Sequence, residues 1–362
     1  MKIVHTEASS GFGGQELRIL NEADGLKNRG HELTLICPKE AELYGIAKSR
    51  GLNVVAMPVD KKSWAGVIAL RNWIKQHQPD VINTHSSVDS WLVALATQFT
   101  KNPPAVIRTR HLSVPVSNNM TSRWLYIKSC DHLVTTGEKL RKALVENNAY
   151  PLSHMTSVRT GIDLSRFKPG DKFKVRKELG LSAEDVIVGI VATLRSWKGH
   201  SYLIDAFATV PYDANLKLLI VGDGPQDQAL RQKVAGLGLD KRVSFVGRQN
   251  NVENWMRAMD IFCLPSYANE GVPQSLMQSQ ACGLPAITTL VGSIDEAIVP
   301  GQSALIVQPK DVNSLADALK VLIGDEDKRI QMGLAAAEQA AANFSEKIML
   351  DKMEAIFTRA AQ

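Results

Sequence analysis

The sequence PSYANEGVPQSLMQSQACGLP, residues 265–285, contains the most informative pattern in the chain. It follows the apolar run 261–264 and combines a Gly/Pro loop, one carboxylate at Glu270 and a helical segment that Pro273 is well placed to start. First-turn N–H groups of a helix lack internal partners and, with the positive end of the helix dipole, favour an anion. The stretch therefore predicts a phosphate-binding strand–loop–helix unit, although a plain connection in an α/β sheet has the same outline.

Length and composition predict two domains. The chain has 362 residues, 44% of them hydrophobic, and strand-like runs alternate with helical periodicity along it. This pattern suits two α/β domains better than one oversized core. The four cysteines, Cys37, Cys130, Cys263 and Cys282, lack a ligand-like spacing. We therefore expect neither a zinc site nor a disulfide framework, and a reducing compartment fits.

The net charge of +5 is modest, but residues 61–77 concentrate four cations. We find no signal-peptide pattern and no apolar run of membrane-spanning length, so we expect a cytoplasmic protein, soluble or peripheral on the membrane. The cations alternate with apolar side chains at helical spacing. Such a helix either lies on an anionic membrane surface or packs on the core with its charged face in water. The cations are Lys61, Lys62, Arg71 and Lys75, and the apolar residues are Trp64, Val67, Ile68, Leu70 and Ile74.

The spacing within residues 265–285 resembles the signature of retaining glycosyltransferases of the GT-B fold, in particular family four. In that family a strand ending in Pro-Ser is followed by an acid, seven residues and a second acid. Glu270 matches the first acid, which the resemblance places beside the donor sugar. Gln278 stands where the second acid accepts hydrogen bonds from ribose hydroxyls. Glutamine keeps a carbonyl acceptor but loses the charge, so the resemblance implies weaker ribose recognition.

The amino-terminal half resembles the family's first domain. The turn containing Gly13 and Gly14 is similar to one whose backbone approaches the donor diphosphate, where a Cβ would obstruct the ligand. The segment 79–85 resembles a family strand, and its His85 either faces the cleft or is a hydrogen-bonded structural histidine. His111 matches a histidine that reaches the donor sugar, the alternative being a satisfied loop histidine.

Cations are expected near the start of the second domain. Breaking a glycosyl–phosphate bond adds negative charge to the departing diphosphate, and fixed cations stabilise that charge without reorganising. Lys198 matches the family's lysine on this turn, whereas Thr193 occupies the usual arginine position. Arg195 on the same loop either supplies the missing guanidinium or is a solvated surface residue.

The resemblance covers nearly the whole chain and implies two facing Rossmann-like domains with an interdomain cleft. We expect an acceptor domain at 1–165, with a carboxy-terminal helix at 345–362 packing back on it, and a nucleotide-sugar domain at 166–344. The other donor-binding positions that the resemblance implies are Gly222, Gly247, Arg248, Gly271, Val272, Pro273, Gln274 and Ser275.

These features predict a retaining hexosyltransferase that acts on a nucleotide-sugar donor without a metal or other cofactor, its cations replacing the metal. The expected acceptor is a glycan or a lipid-linked glycan, as in the synthesis of lipopolysaccharide or other surface polysaccharides, and no nucleic acid is expected to bind. A nucleotide-sugar 2-epimerase uses the same fold, and a non-enzymatic nucleotide-binding protein is the third alternative. Acceptor-free interconversion of donor sugars would identify an epimerase.

Overall fold

The computed structural model describes residues 1–98, 100–111, 114–211 and 213–362. The chain divides into two compact units. Unit 1 comprises Met1–Gly161 and Glu346–Gln362, and unit 2 comprises Ile162–Ser345.

Unit 1 contains a seven-stranded parallel sheet in the order β3-β2-β1-β4-β5-β6-β7. Its strands are β1 (Lys2–Thr6), β2 (Glu32–Cys37), β3 (Asn53–Ala56), β4 (Val81–Thr84), β5 (Ala105–Arg110), β6 (His132–Thr135) and β7 (Met155–Ser157). The helices between them are α1 (Gly14–Asn28), α2 (Glu42–Ser49), α3 (Trp64–His77), α4 (Ser87–Thr97), α5 (Met120–Arg123) and α6 (Glu138–Asn148). A π-helical turn, Trp124–Lys128, follows α5.

Unit 2 contains a six-stranded parallel sheet in the order β10-β9-β8-β11-β12-β13. Its strands are β8 (Val186–Val191), β9 (Leu216–Val221), β10 (Val243–Gly247), β11 (Ile261–Leu264), β12 (Ala286–Thr288) and β13 (Ala304–Ile306). The helices are α7 (Lys172–Glu178), α8 (His200–Thr209), α9 (Asp227–Gly236), α10 (Val252–Ala258), α11 (Gln274–Ala281), α12 (Val312–Gly324) and α13 (Glu326–Asn343).

Each sheet is covered on both faces, which explains why its strands are continuously apolar. Neighbouring residues on one strand pack into different cores: Ile3 joins the layer that contains α1, and Val4 joins the layer that contains α3 and α4. In unit 2, Val188 and Ile187 are divided between two cores in the same way. Burial on both faces is the usual condition of parallel strands, so the expected two-domain α/β fold is confirmed.

Both sheets have a point at which the strand order reverses, between β1 and β4 in unit 1 and between β8 and β11 in unit 2. Open parallel sheets bind ligands outside the carboxyl ends of the strands at this point. His85 directly follows β4, Lys198 lies on the loop after β8, and Glu270 lies on the loop after β11. The topology therefore places these three candidate residues at the switch points of the two sheets.

The last helix, α14 (Glu346–Ala360), belongs to unit 1 and packs against α1. Its buried face contributes Met349, Leu350, Met353, Ile356 and Phe357 to the core around β1. Arg29 at the end of α1 forms ion pairs with Asp351 and Glu354. Among the described residues, no helix has both the length and the apolar character needed to cross a bilayer.

We predict that Phe357→Ala destabilises unit 1 by about 3–5 kcal/mol, because it leaves a cavity at a fully buried aromatic position. Urea unfolding, followed by hydrogen exchange of unit 1 amides, measures the change. Lys352→Ala on the exposed face of the same helix is the matched control, with an expected effect within about 0.5 kcal/mol. A loss in Phe357→Ala as small as that expected for the control would mean that α14 contributes little to the core of unit 1.

Candidate functional site

In unit 2, the loop after β8 lies directly on the loop after β11. The Tyr267 N–H donates to the Trp197 carbonyl at 2.8 Å. Gly199 has a φ of 80°, and a Cβ there would lie 2.1 Å from the Pro265 carbonyl oxygen. Only glycine permits this approach. The sequence Lys198-Gly199 thereby places the lysine beside the end of β11.

Lys198 and Glu270 form an ion pair. The Lys198 Nζ lies 2.7 Å from Glu270 Oε1, and the Ser266 hydroxyl donates to the same oxygen at 2.6 Å. Glu270 is buried, whereas the Lys198 side chain is 20% exposed. The Thr289 hydroxyl in turn donates to the Ser266 carbonyl at 2.6 Å. The carboxylate is therefore fixed and its charge compensated, while the lysine retains an exposed surface.

The loop after β12 closes around the backbone of Glu270. Gly292 has a φ of 64°, and a Cβ there would lie 2.0 Å from the Glu270 carbonyl oxygen. On the other side of the sheet's switch point, the Gly222 N–H donates to the Gly247 carbonyl at 2.8 Å. The loops that follow neighbouring strands are thus joined to each other through backbone contacts.

The helix α11 begins at Gln274, and Pro273 is its N-cap residue, one position earlier than a proline in the first helical position. Pro273 supplies no side-chain hydrogen bond to the first turn, and the first N–H groups of a helix are suited to an anion. Gln274, Ser275 and Gln278 are half-buried on this helix. Gly271 and Val272 form the short link between Glu270 and the cap.

The structure places both predicted arginines of unit 2 at exposed loop positions. Arg195 is exposed, and its guanidinium carbon lies 5.6 Å from the centre of the Trp197 ring. Arg248 is exposed on the turn after β10. A role for either in donor binding stays a prediction.

In unit 1, three histidines form a hydrogen-bonded series that we call the histidine array: His5, His85 and His111. The His5 Nδ1 lies 2.9 Å from the His85 Nε2, and the His85 Nδ1 lies 2.9 Å from the His111 Nε2. His5 and His85 are buried, and His111 is half-buried. The array joins the ends of β1, β4 and β5 at the switch point of the sheet.

A buried ion pair lies at the inner end of the histidine array. The His5 Nε2 is 4.0 Å from Glu22 Oε1, and the Arg18 Nε is 3.5 Å from Glu22 Oε2. The Asn83 side-chain amide donates to Glu22 Oε1 at 3.3 Å. Burial, and after it the Arg18 charge, lowers the pKa of His5 to about 3. Burial likewise lowers the pKa values of His85 and His111 well below their usual range, so the three rings are neutral near neutral pH.

The Gly-rich turn after β1 is organised by Glu7, a buried residue that the sequence reasoning missed. One Glu7 oxygen accepts the Ala8 and Ser9 N–H groups at 2.8 Å each, and the other accepts the Gln15 side chain. Burial, followed by the nearby Asp89, raises the pKa of Glu7. Gly13 caps α1 with an extended backbone, φ −158°, and Gly14 is the first helical residue. The backbone conformation therefore does not itself require glycine at 13 or 14. The approach of this turn to a donor diphosphate stays a prediction.

Two arginines of β5, Arg108 and Arg110, lie near the histidine array. Arg108 and Arg110 both donate to the Tyr126 hydroxyl, at 3.1 and 2.7 Å, and the Arg108 guanidinium stacks over the Tyr126 ring. Within the described residues, neither forms an ion pair, and the Arg108 Nη1 and Arg110 Nε atoms are buried without a hydrogen bond. This part of unit 1 therefore concentrates positive charge, which the buried Asp89 near Arg108 offsets only in part. Within the same described ranges, no group of three or more His, Cys, Asp and Glu side chains is placed to hold a metal ion.

Comparison with known proteins identifies both units. Residues 12–166 match the family described as Glycosyltransferase Family 4, and residues 171–339 match Glycosyl transferases group 1. A Nocardia farcinica protein named D-inositol 3-phosphate glycosyltransferase is 32% identical over 270 residues, which span 70% of this chain and 58% of that protein.

Solved structures share the fold across the whole chain. The Anabaena protein HepE, solved in complex with UDP and glucose, is 20% identical and has a TM-score of 0.86, with 99% of each chain covered. WaaG, described as a glycosyltransferase involved in lipopolysaccharide biosynthesis, is 18% identical with a TM-score of 0.73, covering 98% of this chain and 99% of WaaG.

The two parallel sheets, their switch-point loops and these similarities define the GT-B class of fold. Within that class, the chain belongs to the group 1, family 4 glycosyltransferases.

We predict that the histidine array makes unit 1 less stable as the pH falls from about 7 to about 5, because the unfolded histidines bind protons near their ordinary pKa of 6.5 and the folded array does not, whereas Glu7, whose pKa is raised, acts in the opposite direction. The unfolded state then binds more protons, so the free energy of unfolding falls as pH decreases. His5→Phe should reduce the slope by up to about 1.4 kcal/mol per pH unit. Hydrogen exchange of unit 1 peptides measures this slope, and His77→Phe, at an exposed position of α3, is the control. An unchanged slope in His5→Phe would contradict a neutral, buried array.

Proposed function

We propose that this protein transfers a hexose from a nucleotide-sugar to a hydroxyl of a glycan or lipid-linked acceptor, with retention of the anomeric configuration. The observation that carries the proposal is the Lys198–Glu270 pair, fixed at the switch point of unit 2 ahead of α11. A cation, a directed carboxylate and a helix N-terminus together suit a ligand with a diphosphate and a sugar.

The three groups have separable roles in this chemistry. The N–H donors at the start of α11 and the Lys198 ammonium stabilise the charge that develops on the departing diphosphate. Glu270, whose charge Lys198 compensates, accepts hydrogen bonds from the sugar. We propose that these groups suffice without a metal ion, since a fixed ammonium stabilises the same developing charge.

Retention then follows a same-face route. The acceptor oxygen forms a bond to the anomeric carbon as the bond from that carbon to the diphosphate oxygen breaks, and the acceptor's proton passes to the departing phosphate. The bonding electrons leave with the diphosphate, so the step needs no enzymatic nucleophile. HepE binds UDP, so UDP is the first donor nucleotide to test. Gln278, half-buried on α11, remains the proposed ribose acceptor.

For the acceptor, we propose a hydroxyl compound that also carries an anion. The support is the positive charge of Arg108 and Arg110, two guanidinium groups that share Tyr126 and have no carboxylate partner among the described residues. Guanidinium groups match phosphate and carboxylate geometry. The Nocardia relative's name likewise specifies a phosphorylated acceptor. A phosphorylated or acidic core of a surface polysaccharide has the same chemistry.

We further propose that α3 brings unit 1 to the cytoplasmic face of an anionic membrane. The sequence of residues 61–77 fits either core packing or membrane contact, and the structure shows side chains of both kinds. Val67, Leu70 and Ile74 are buried in the core, whereas Trp64 and Ile68 are 74% and 56% exposed. Interfacial helices combine such exposed apolar side chains with cations.

The exposed apolar surface formed by Trp64 and Ile68 of α3 extends onto α4. Trp91 and the partly exposed Leu95 of α4 border a shallow apolar groove with Trp64, and the Lys62 Nζ lies 5.0 Å from the centre of the Trp91 ring. Over residues 60–77, Asp60 is the single carboxylate against the four cations of α3 and its approach. This charge balance favours anionic lipid over a protein partner and fits a lipid-linked acceptor.

We predict that Lys198→Ala lowers turnover by roughly a hundredfold, the effect of losing one preorganised charge stabiliser, and weakens UDP binding. Glu270→Gln should lower turnover while UDP binds at least as tightly, because a negative charge beside the diphosphate is removed. A thermal-shift screen of UDP-, GDP-, dTDP- and ADP-sugars first identifies the donor nucleotide. Calorimetry then measures nucleotide affinity in each variant, and a turnover assay measures activity. The same assay with EDTA tests whether a metal ion is needed. Exposed Lys241→Ala is the control.

Equal loss of UDP affinity and turnover in Glu270→Gln would assign Glu270 to the nucleotide. Turnover abolished by EDTA would contradict the metal-independent mechanism. Product with inverted configuration at the anomeric carbon, determined by NMR, would contradict retention.

For the membrane, we predict that Lys61→Ala/Lys62→Ala lowers partitioning onto phosphatidylglycerol-containing vesicles by roughly thirtyfold, because each lysine near an anionic surface contributes about 1 kcal/mol. Trp64→Ser should also weaken binding, by removing apolar contact. Co-sedimentation measures both, and Phe173→Ser, at an exposed apolar position of unit 2, is the control. Absence of binding by the unaltered protein, or equal binding to neutral vesicles, would contradict the proposal.

A further inference from the structure

The histidine array can exist in two proton arrangements. A neutral imidazole carries one N–H and one lone pair, so each of the two 2.9 Å N···N contacts holds one proton. If His5 donates to His85, then His85 must donate to His111. If His111 donates to His85, then His85 must donate to His5. The group at the inner end of the array decides between the two directions.

That group is Glu22, and its charge is fixed by Arg18. Burial raises the pKa of Glu22, while Arg18 and Asn83 act in the opposite direction. Arg18 is fully buried, donates to the Val158 carbonyl at 2.7 Å, and stays protonated. A neutral Glu22 would leave this cation buried without compensation, which is strongly destabilising. Glu22 is therefore a carboxylate, which only accepts hydrogen bonds.

The direction of the array follows from the carboxylate. The His5 Nε2 lies 4.0 Å from Glu22 Oε1, too far for a direct hydrogen bond, but the nearby carboxylate favours the proton on this nitrogen because a lone pair there would face negative charge. His5 Nδ1 then accepts from His85 Nε2, and His85 Nδ1 accepts from His111 Nε2. His111 consequently carries its proton on Nε2, and its unprotonated Nδ1 can accept a hydrogen bond.

We propose that Glu22 sets the tautomer of His111 through His5 and His85, so that His111 Nδ1 accepts a hydrogen bond from a carbohydrate hydroxyl. Glu22, His5 and His85 are then positioning residues. Glu22 acts on His111 through the two imidazole rings that lie between them. The tautomer does not depend on the transferase reaction. The role of the Nδ1 acceptor rests on the proposed function.

The test uses the full-length protein with ¹⁵N-labelled histidine, whose ring shifts distinguish the two tautomers by NMR. In the unaltered protein, His5, His85 and His111 should all carry the proton on Nε2. A proton on Nδ1 of any of the three would overturn the proposal before any substitution is made.

Glu22→Gln provides the second measurement. Arg18 should hold the new amide oxygen, which turns the amide N–H₂ towards His5 and reverses the array, so that a substantial fraction of His111 carries its proton on Nδ1. Glu354→Gln, at another glutamate paired with an arginine, is the matched control and should leave the His111 signals unchanged. Unchanged His111 signals in a folded Glu22→Gln protein would overturn the proposal.

His5→Phe is a second test in case the Glu22→Gln protein does not fold. It keeps the Glu22–Arg18 pair and interrupts the array. His111 should then show averaged shifts of two tautomers, and limiting Nε2–H shifts would contradict control by Glu22. In both variants kcat/KM should fall by roughly fivefold to tenfold, the loss of one hydrogen bond, while UDP affinity is kept. A shifted tautomer with unchanged kcat/KM would overturn the acceptor role of Nδ1 and leave the donor-site proposal intact.

Discussion

Parallel strands bring all their carboxyl ends to one edge of a sheet, and the polar groups gathered there must find partners on neighbouring loops. In unit 2 this constraint is met by an ion pair: Glu270 is buried, and Lys198 from the loop after β8 compensates its charge. The approach of Gly199 to Pro265 makes the pair possible. The rest of the unit 2 site, from Ser266 to the start of α11, is arranged around that carboxylate.

Unit 1 meets the same constraint with neutral groups. Three histidines connect its switch-point loops, and the charge is kept one layer deeper, in the Arg18–Glu22 pair. A charged pair with one partly exposed member suits an anion whose charge changes during reaction. A neutral, directional array suits hydroxyl groups, which both donate and accept. The two units thus differ in chemical character at their switch points, with a charged pair in unit 2 and a hydrogen-bonded histidine array in unit 1.

The sequence predicted the two parallel-sheet domains well, because parallel strands buried on both faces give apolar runs bounded by glycine and proline. It predicted Glu270 and Lys198 separately, but their ion pair depends on the contact between two loops some seventy residues apart, which spacing alone does not encode. His5 was missed because a histidine inside a short strand has no motif of its own. Its neighbours Glu22 and Asn83 come from α1 and β4, and the β1–β4 register places His5 opposite Asn83, which donates to Glu22. A histidine at the end of a switch-point strand is the signal that would have identified it.

The division of unit 1 between Met1–Gly161 and Glu346–Gln362 has a consequence for biosynthesis. The ribosome releases β1 to β7 first, but α14, which covers the core around β1 and Leu26, is translated only after the whole of unit 2. Until then, that face of the sheet retains an uncovered apolar surface, and Arg29 lacks both of its carboxylate partners. Unit 2 is continuous in sequence and can complete its cores first, so the domain translated first becomes the last to reach its final packing, and the nascent chain would be most dependent on chaperones during that interval.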